Sequence, residues 1–161
     1  MRRCWPKSSA SQPCVRTCGA TSSPACGTQR SGTRRAKLSE RFRGSCLCGE
    51  VRFELTGPPE RASRCFCSLC RKQSGSAFGA YAYVRGDRFR FVAGASSVRG
   101  YVSSPGVTRT FCSRCGASLH WKRDGKDGFG LALGSLDDDP RVEPTLDLHP
   151  EDAAFWYPVR H

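Results

Sequence analysis

The chain has 161 residues, eleven cysteines and a formal net charge of +12, a length that suits one domain preceded by an extension. No stretch is apolar and long enough to span a bilayer, so no membrane partner is expected. Residues 1–43 hold eight Arg and two Lys against Glu40 alone, a balance of +9 that leaves +3 for residues 44–161, so nucleic-acid binding is argued for the extension and is not expected of the domain.

Residues 1–43 are rich in Ser, Thr, Gly, Pro and Arg, with Trp5 and Phe42 as the only aromatics. Such a segment buries too little apolar surface to offset its backbone entropy and is expected to be a disordered basic extension. Cys4-Trp5-Pro6 does not begin the apolar run of a secretory signal; an Arg- and Ser-rich organellar leader, or a natural start near Leu38, are the alternatives. Cys4, Cys14, Cys18 and Cys26 lack ligand spacing and read as free thiols rather than as a third metal site.

The domain is expected over residues 44–160, opening at Gly44-Ser45-Cys46-Leu47-Cys48-Gly49, where Gly49 suits a tight turn that aims backbone amides at sulfur. Val51, Phe53 and Leu55 then alternate with Glu50, Arg52 and Glu54, the period of a strand with one buried face. After Cys65-Phe66-Cys67-Ser68-Leu69-Cys70 comes Phe78 to Val84, apolar on both faces and so expected to be covered on both sides. Phe89 and Phe91, Val98 to Val102 and Val107 to Phe111 continue the pattern. Phe111-Cys112-Ser113-Arg114-Cys115-Gly116 is a zinc knuckle at a hairpin tip, followed by strands carrying Leu119 with Trp121 and Phe129 with Leu131 and Leu133. Asp137-Asp138-Asp139 reads as a solvated acidic loop, and Phe155-Trp156-Tyr157 as aromatics closing the core. Short strands punctuated by Gly and Pro, with no amphipathic helix, predict an all-β domain.

Seven cysteines in the domain divide as four and three. Cys46, Cys48, Cys112 and Cys115 make a complete four-thiolate zinc site across a loop of more than sixty residues. Closing such a loop removes about 4 kcal/mol of unfolded-chain entropy. Cys65, Cys67 and Cys70 hold a second zinc with one coordination position left over, open to a substrate or closed by His120 or His149. Softness matching makes a thiol the preferred occupant, and a thiol bound to a metal loses its proton while staying nucleophilic. Arg71 and Lys72, beside these ligands, are the candidates for holding the anionic ends of such a substrate; Arg85, Arg109 and Arg114 read first as solvated surface charges. Zinc–thiolate spacings belong to reducing compartments, which places the chain in the cytoplasm.

These three cysteine groups, with Gly75, His149 and Trp156, resemble the glutathione-dependent formaldehyde-activating enzyme (GFA) family, which includes the domain of centromere protein V. The resemblance covers about residues 42–160. It implies a β-tent of antiparallel sheets, two zinc ions per chain, a structural one at the outer cysteine pairs and a more labile one at the triplet, and the joining of glutathione to formaldehyde as S-(hydroxymethyl)glutathione, with the reverse a carbon–sulfur lyase step. Phe66 stands where a His or Asn is common in the family, which removes a polar group beside the metal. The rival readings are a glutathione carrier and a non-catalytic zinc module for nucleic acid or protein. Edge strands leave a homo-oligomer open.

Overall fold

The computed structural model describes residues 40–157; the extension up to residue 39, with Cys4, Cys14, Cys18 and Cys26, lies outside them. Strands β1 (Arg41–Ser45), β2 (Arg52–Thr56) and β3 (Arg61–Cys65) lead into a two-turn helix α1 (Ser68–Ser74). Then come β4 (Gly79–Arg85), β5 (Phe89–Ala93), β6 (Val98–Ser104), β7 (Val107–Cys112), β8 (Ser118–Arg123), β9 (Gly128–Ala132) and β10 (Pro144–Leu148). The first strand begins at Arg41, three residues before the expected domain start at Gly44. It forms because Phe42 and Gly44 turn inward while Arg41 and Arg43 face solvent.

The strands form two sheets, one of order β1-β2-β5 and one of order β10-β3-β4-β9-β8-β7-β6. All pairings are antiparallel except β10 with β3, which is parallel. Side chains alternate as the sequence period requires, so Val51, Phe53 and Leu55 are fully buried. They pack with Phe42 from the small sheet and with Val84, Leu119, Phe129 and Leu131 from the large one, and Cys46 and Cys112 belong to the same cluster. As expected, β4 is covered on both faces: Tyr81, Ala82 and Val84 are all buried.

A Cβ on Gly44 would lie 2.2 Å from the Phe53 ring and 2.6 Å from the Ser135 carbonyl, so only glycine lets β1 approach the turn after β9, where Gly44 bridges Leu136. The acidic loop contributes here, contrary to its reading as solvated. Asp138 accepts from the Arg43 backbone N–H at 2.8 Å and from its guanidinium Nε and Nη2 at 3.0 and 2.9 Å, and Asp137 accepts from the Ser45 hydroxyl at 2.9 Å. These bonds hold the outer edge of β1, just before Cys46. The C-terminal aromatics do not close the core: Phe155, Trp156 and Tyr157 are exposed, and Tyr157 only tilts against Phe78. The core is already filled by residues from the two sheets.

His120 on β8 is enclosed by aromatic rings, with Phe129 at 4.8 Å and Phe89 at 6.0 Å between centroids, and its Nδ1 is buried without a hydrogen-bond partner. Burial, reinforced by Lys122, lowers its pKa to about 4. The unfolded chain therefore protonates first, near 6.5, so His120 contributes no pH dependence above that value and costs stability as pH falls from 6.5 toward 4. Between pH 7 and pH 5.5 this amounts to about 1 kcal/mol. Chemical denaturation of the zinc-loaded protein at the two pH values should show that loss, and His120→Leu should remove most of it.

Candidate metal centres

The two groups of thiols come together as the spacing predicts. The Sγ atoms of Cys46, Cys48, Cys112 and Cys115 lie within 4.8 Å of one another, and so do those of Cys65, Cys67 and Cys70. The quartet is built from two matching turns. Gly49 and Gly116 adopt φ of 75° and 74°, and Gly49 and Gly116 donate back to the carbonyls of Cys46 and Cys112 at 2.9 and 2.8 Å. Each turn exposes amides to sulfur: the Val51 N–H donates to Cys46 Sγ at 3.2 Å. Desolvation pushes Cys115 up, yet the Ala117 and Cys48 N–H groups with the neighbouring thiols outweigh it and bring its pKa to about 6. Four soft sulfurs fed by backbone donors fit a closed zinc site.

The trio is assembled differently. Cys65 ends β3, Cys67 is the residue before α1 with its side chain free of any capping bond, and Cys70 is buried within α1. Cys65 Sγ sits 3.6 Å from Cys67 Sγ. Cys65 and Cys70 share charge unevenly: a hydrogen bond from Cys65, helped by Arg109 against desolvation, lowers Cys70 to about 5, while Cys65 is pushed up. Three thiol donors also fit zinc, and among the described residues no histidine joins them. His120 is enclosed by the aromatic rings above, and His149 lies with Glu151 and Asp152. Phe66 is fully buried, its ring against Phe78 at 5.5 Å between centroids. The ring therefore fills a core position.

Two open clefts share Ser118, and they reach the trio through its neighbours, Tyr81 in the first and Arg109 in the second, rather than through the sulfurs themselves. One, of about 490 Å³, is lined by Leu47, Ser74, Gly79, Tyr81 and Asp137; the other, of about 660 Å³, by Lys72, Gln73, Tyr101, Ser103, Arg109 and Phe111. Of the two predicted substrate-holding residues, Lys72 lines the larger cleft, whereas the Arg71 Nε donates to the Phe66 carbonyl at 3.0 Å. Arg85 and Arg114 are surface cations paired with Asp87 and Glu50. Arg109 departs from its reading as a surface charge: it is buried, and its Nη2 lies 3.5 Å from Cys70 Sγ. The sequence held a signal for this, since at a period of two Arg109 shares a strand face with Val107 and Phe111.

A mostly antiparallel β scaffold carrying a four-thiol and a three-thiol cluster is that of a thiol-rich, metal-binding β domain. Residues 41–152 match the model of the glutathione-dependent formaldehyde-activating enzyme family, so the chain belongs to that family. It is 37% identical over 130 residues to a Halomonas elongata protein provisionally named glutathione-dependent formaldehyde-activating enzyme, an alignment covering 72% of this chain and 79% of that one. A Rhodobacter sphaeroides protein of known crystal structure matches with a TM-score of 0.53 and 28% identity, covering 66% of this chain and 98% of that one.

The two clusters should respond differently to loss of one sulfur. Cys112→Ser removes a fully buried member of the main core cluster and should lower stability by about 3 kcal/mol or more. Cys67→Ser, partly exposed at the start of α1, should cost one zinc with a much smaller fall in melting temperature. Native mass spectrometry and thermal melting of the two variants check both outcomes.

Proposed function

We propose that the protein joins a glutathione-type thiol to a small aldehyde at the trio, as an S-(hydroxymethyl)glutathione synthase whose reverse reaction is a carbon–sulfur lyase step. One zinc at Cys46, Cys48, Cys112 and Cys115 would hold the scaffold, and a second would be held by Cys65, Cys67 and Cys70. When bound at the trio, zinc supplies a soft Lewis acid that favours the deprotonated form of a thiol at neutral pH. The observation that carries the reading is a three-sulfur cluster, short of zinc's usual four ligands, joined through Arg109, 3.5 Å from Cys70 Sγ, to an open cleft that Lys72 also lines.

The chain's own residues bind and orient. The Lys72 ammonium reaches the cleft as a mobile point charge suited to a carboxylate, while Phe111 and Tyr101 offer apolar walls to the substrate's carbon skeleton. Arg71, adjacent in sequence, braces the start of α1 through the Phe66 carbonyl and so fixes where Cys67 and Cys70 sit. Among the residues described for the two clefts no imidazole is present. Proton transfer to and from the product hydroxyl is therefore assigned to solvent. The same observation favours a second reading, a glutathione carrier without turnover. The nucleic-acid reading draws less support from the domain, because Arg43, Arg64, Arg85, Arg90 and Arg114 are each occupied by a carboxylate.

No helix among the described residues is long and apolar enough to cross a membrane, and the seven cysteines among them, all free thiols, suit the reducing conditions of the cytoplasm. Calorimetry should find that glutathione binds and that S-methylglutathione, which has no thiol to offer, binds at least about tenfold more weakly. Exchange spectroscopy by NMR should then show adduct formation from glutathione and formaldehyde above the rate in buffer. Binding without acceleration would leave the carrier reading, and absence of binding would remove both.

A further inference from the structure

Arg109 is one of two buried polar residues among those described, with 8% of its surface exposed. A buried guanidinium is costly unless its charge is balanced and its N–H groups are bonded. Even the more exposed arginines Arg43, Arg64, Arg85, Arg90 and Arg114 each have a carboxylate partner. Arg109 has none among the described residues. Its Nε donates to the Ser103 hydroxyl at 2.9 Å, its Nη1 donates to Gln73 Oε1 and lies 3.5 Å from the Tyr81 hydroxyl, and its Nη2 lies 3.5 Å from Cys70 Sγ.

These contacts tie β7, which carries Arg109, to β6, α1 and β4. The planar fork is held from three sides and aimed at a single sulfur. Ser103, Gln73 and Tyr81 are neutral, so the sulfur of Cys70 is the contact that bears negative charge when it serves as a metal ligand. Cys65 and Cys67 receive no comparable donor from any described arginine.

We propose that Arg109 is a positioning residue for the trio: its N–H donation to Cys70 Sγ fixes that sulfur as a ligand and draws its electron density away from electrophiles. A site that brings an aldehyde next to thiolates exposes its own ligands to the same attack as the substrate thiol. A charge-assisted N–H bond to a ligand sulfur lowers that sulfur's nucleophilicity without removing it from the metal. The substrate thiol, which lacks this donor, stays the better nucleophile. The inference rests on the proposed reaction only for the identity of the electrophile; the protection itself is a property of the folded, zinc-loaded chain.

The test is residue-resolved alkylation of the zinc-loaded full chain by iodoacetamide at neutral pH, read by peptide mass spectrometry. In Arg109→Met, Cys70 should be labelled about tenfold faster than in the wild type, the change expected for losing one charge-assisted hydrogen bond. Cys46, Cys48, Cys112 and Cys115 should label at unchanged rates, which reports an intact scaffold. Arg109→Lys should restore part of the protection, since it keeps the charge and loses the fork. If Arg109→Met does not fold, Ser103→Ala releases the Nε end alone and should still raise Cys70 labelling several-fold. Unchanged labelling of Cys70 in the folded variants would overturn the proposal, and so would equal acceleration of Cys65, Cys67 and Cys70. Neither result depends on turnover, so a failure of the proposed reaction would appear separately, as absence of adduct formation with Cys70 still protected.

Discussion

The constraint on which the rest of the molecule depends is the meeting of two turns, Cys46–Gly49 and Cys112–Gly116, separated by 64 residues between Cys48 and Cys112. Strands β2 to β7 lie between them, so bringing the turns together closes most of the domain into one loop. The hydrophobic effect alone would draw Phe53, Leu55, Leu119 and Leu131 together, but it is non-directional. The four sulfurs add direction, because Cys46 and Cys112 are members of the same buried cluster as those side chains. Apolar packing and sulfur geometry thus agree on one arrangement, the consistency across levels that specifies a fold.

The trio follows from a different local logic. It stands where β3 hands over to α1, so a strand end, a linker residue and a helix residue each contribute one sulfur. The parallel strand β10 braces the point of handover, since the Phe66 N–H donates to the Leu148 carbonyl at 2.9 Å and Leu148 lies opposite Cys65. The quartet sits on two knuckle turns with Cys46 and Cys112 in the core and Cys48 exposed, whereas the trio has Cys65 and Cys70 buried, Cys67 part-exposed, and a buried cation beside Cys70 that lines a cleft. Four sulfurs at one centre and three at the other is the arrangement required if a metal is to be structural in the first and to keep a coordination position for substrate in the second.

Much of this was legible in the sequence, and the parts that were not share physical causes. Cysteine spacing and the glycines after Cys48 and Cys115 named both clusters, because sulfur ligation demands short, repeated separations. Strict alternation named β2, β5 and β9. The helix α1 escaped notice because seven residues, SLCRKQS, are too few for a helical period to emerge, and Cys70 is its only buried residue. The parallel strand β10 was missed because its partner β3 lies about eighty residues earlier, as the 83-residue separation of Arg64 and Asp147 shows. Arg109 was read as a surface charge on residue type alone, although it shares a strand face with the apolar Val107 and Phe111. The aromatic ending was read as core because large rings favour burial, but the two sheets leave no space for it.

The central claim is that one sulfur cluster fastens the scaffold and the other is free to accept a thiol. Cadmium-113 NMR of the cadmium-substituted protein addresses it directly, since each metal gives its own resonance and thiolate number sets its shift. Titration with glutathione should move one resonance toward the position of the other, which itself stays fixed. Two resonances that both remain in place, or both shift, would contradict the division of the seven thiols into a closed quartet and an accessible trio.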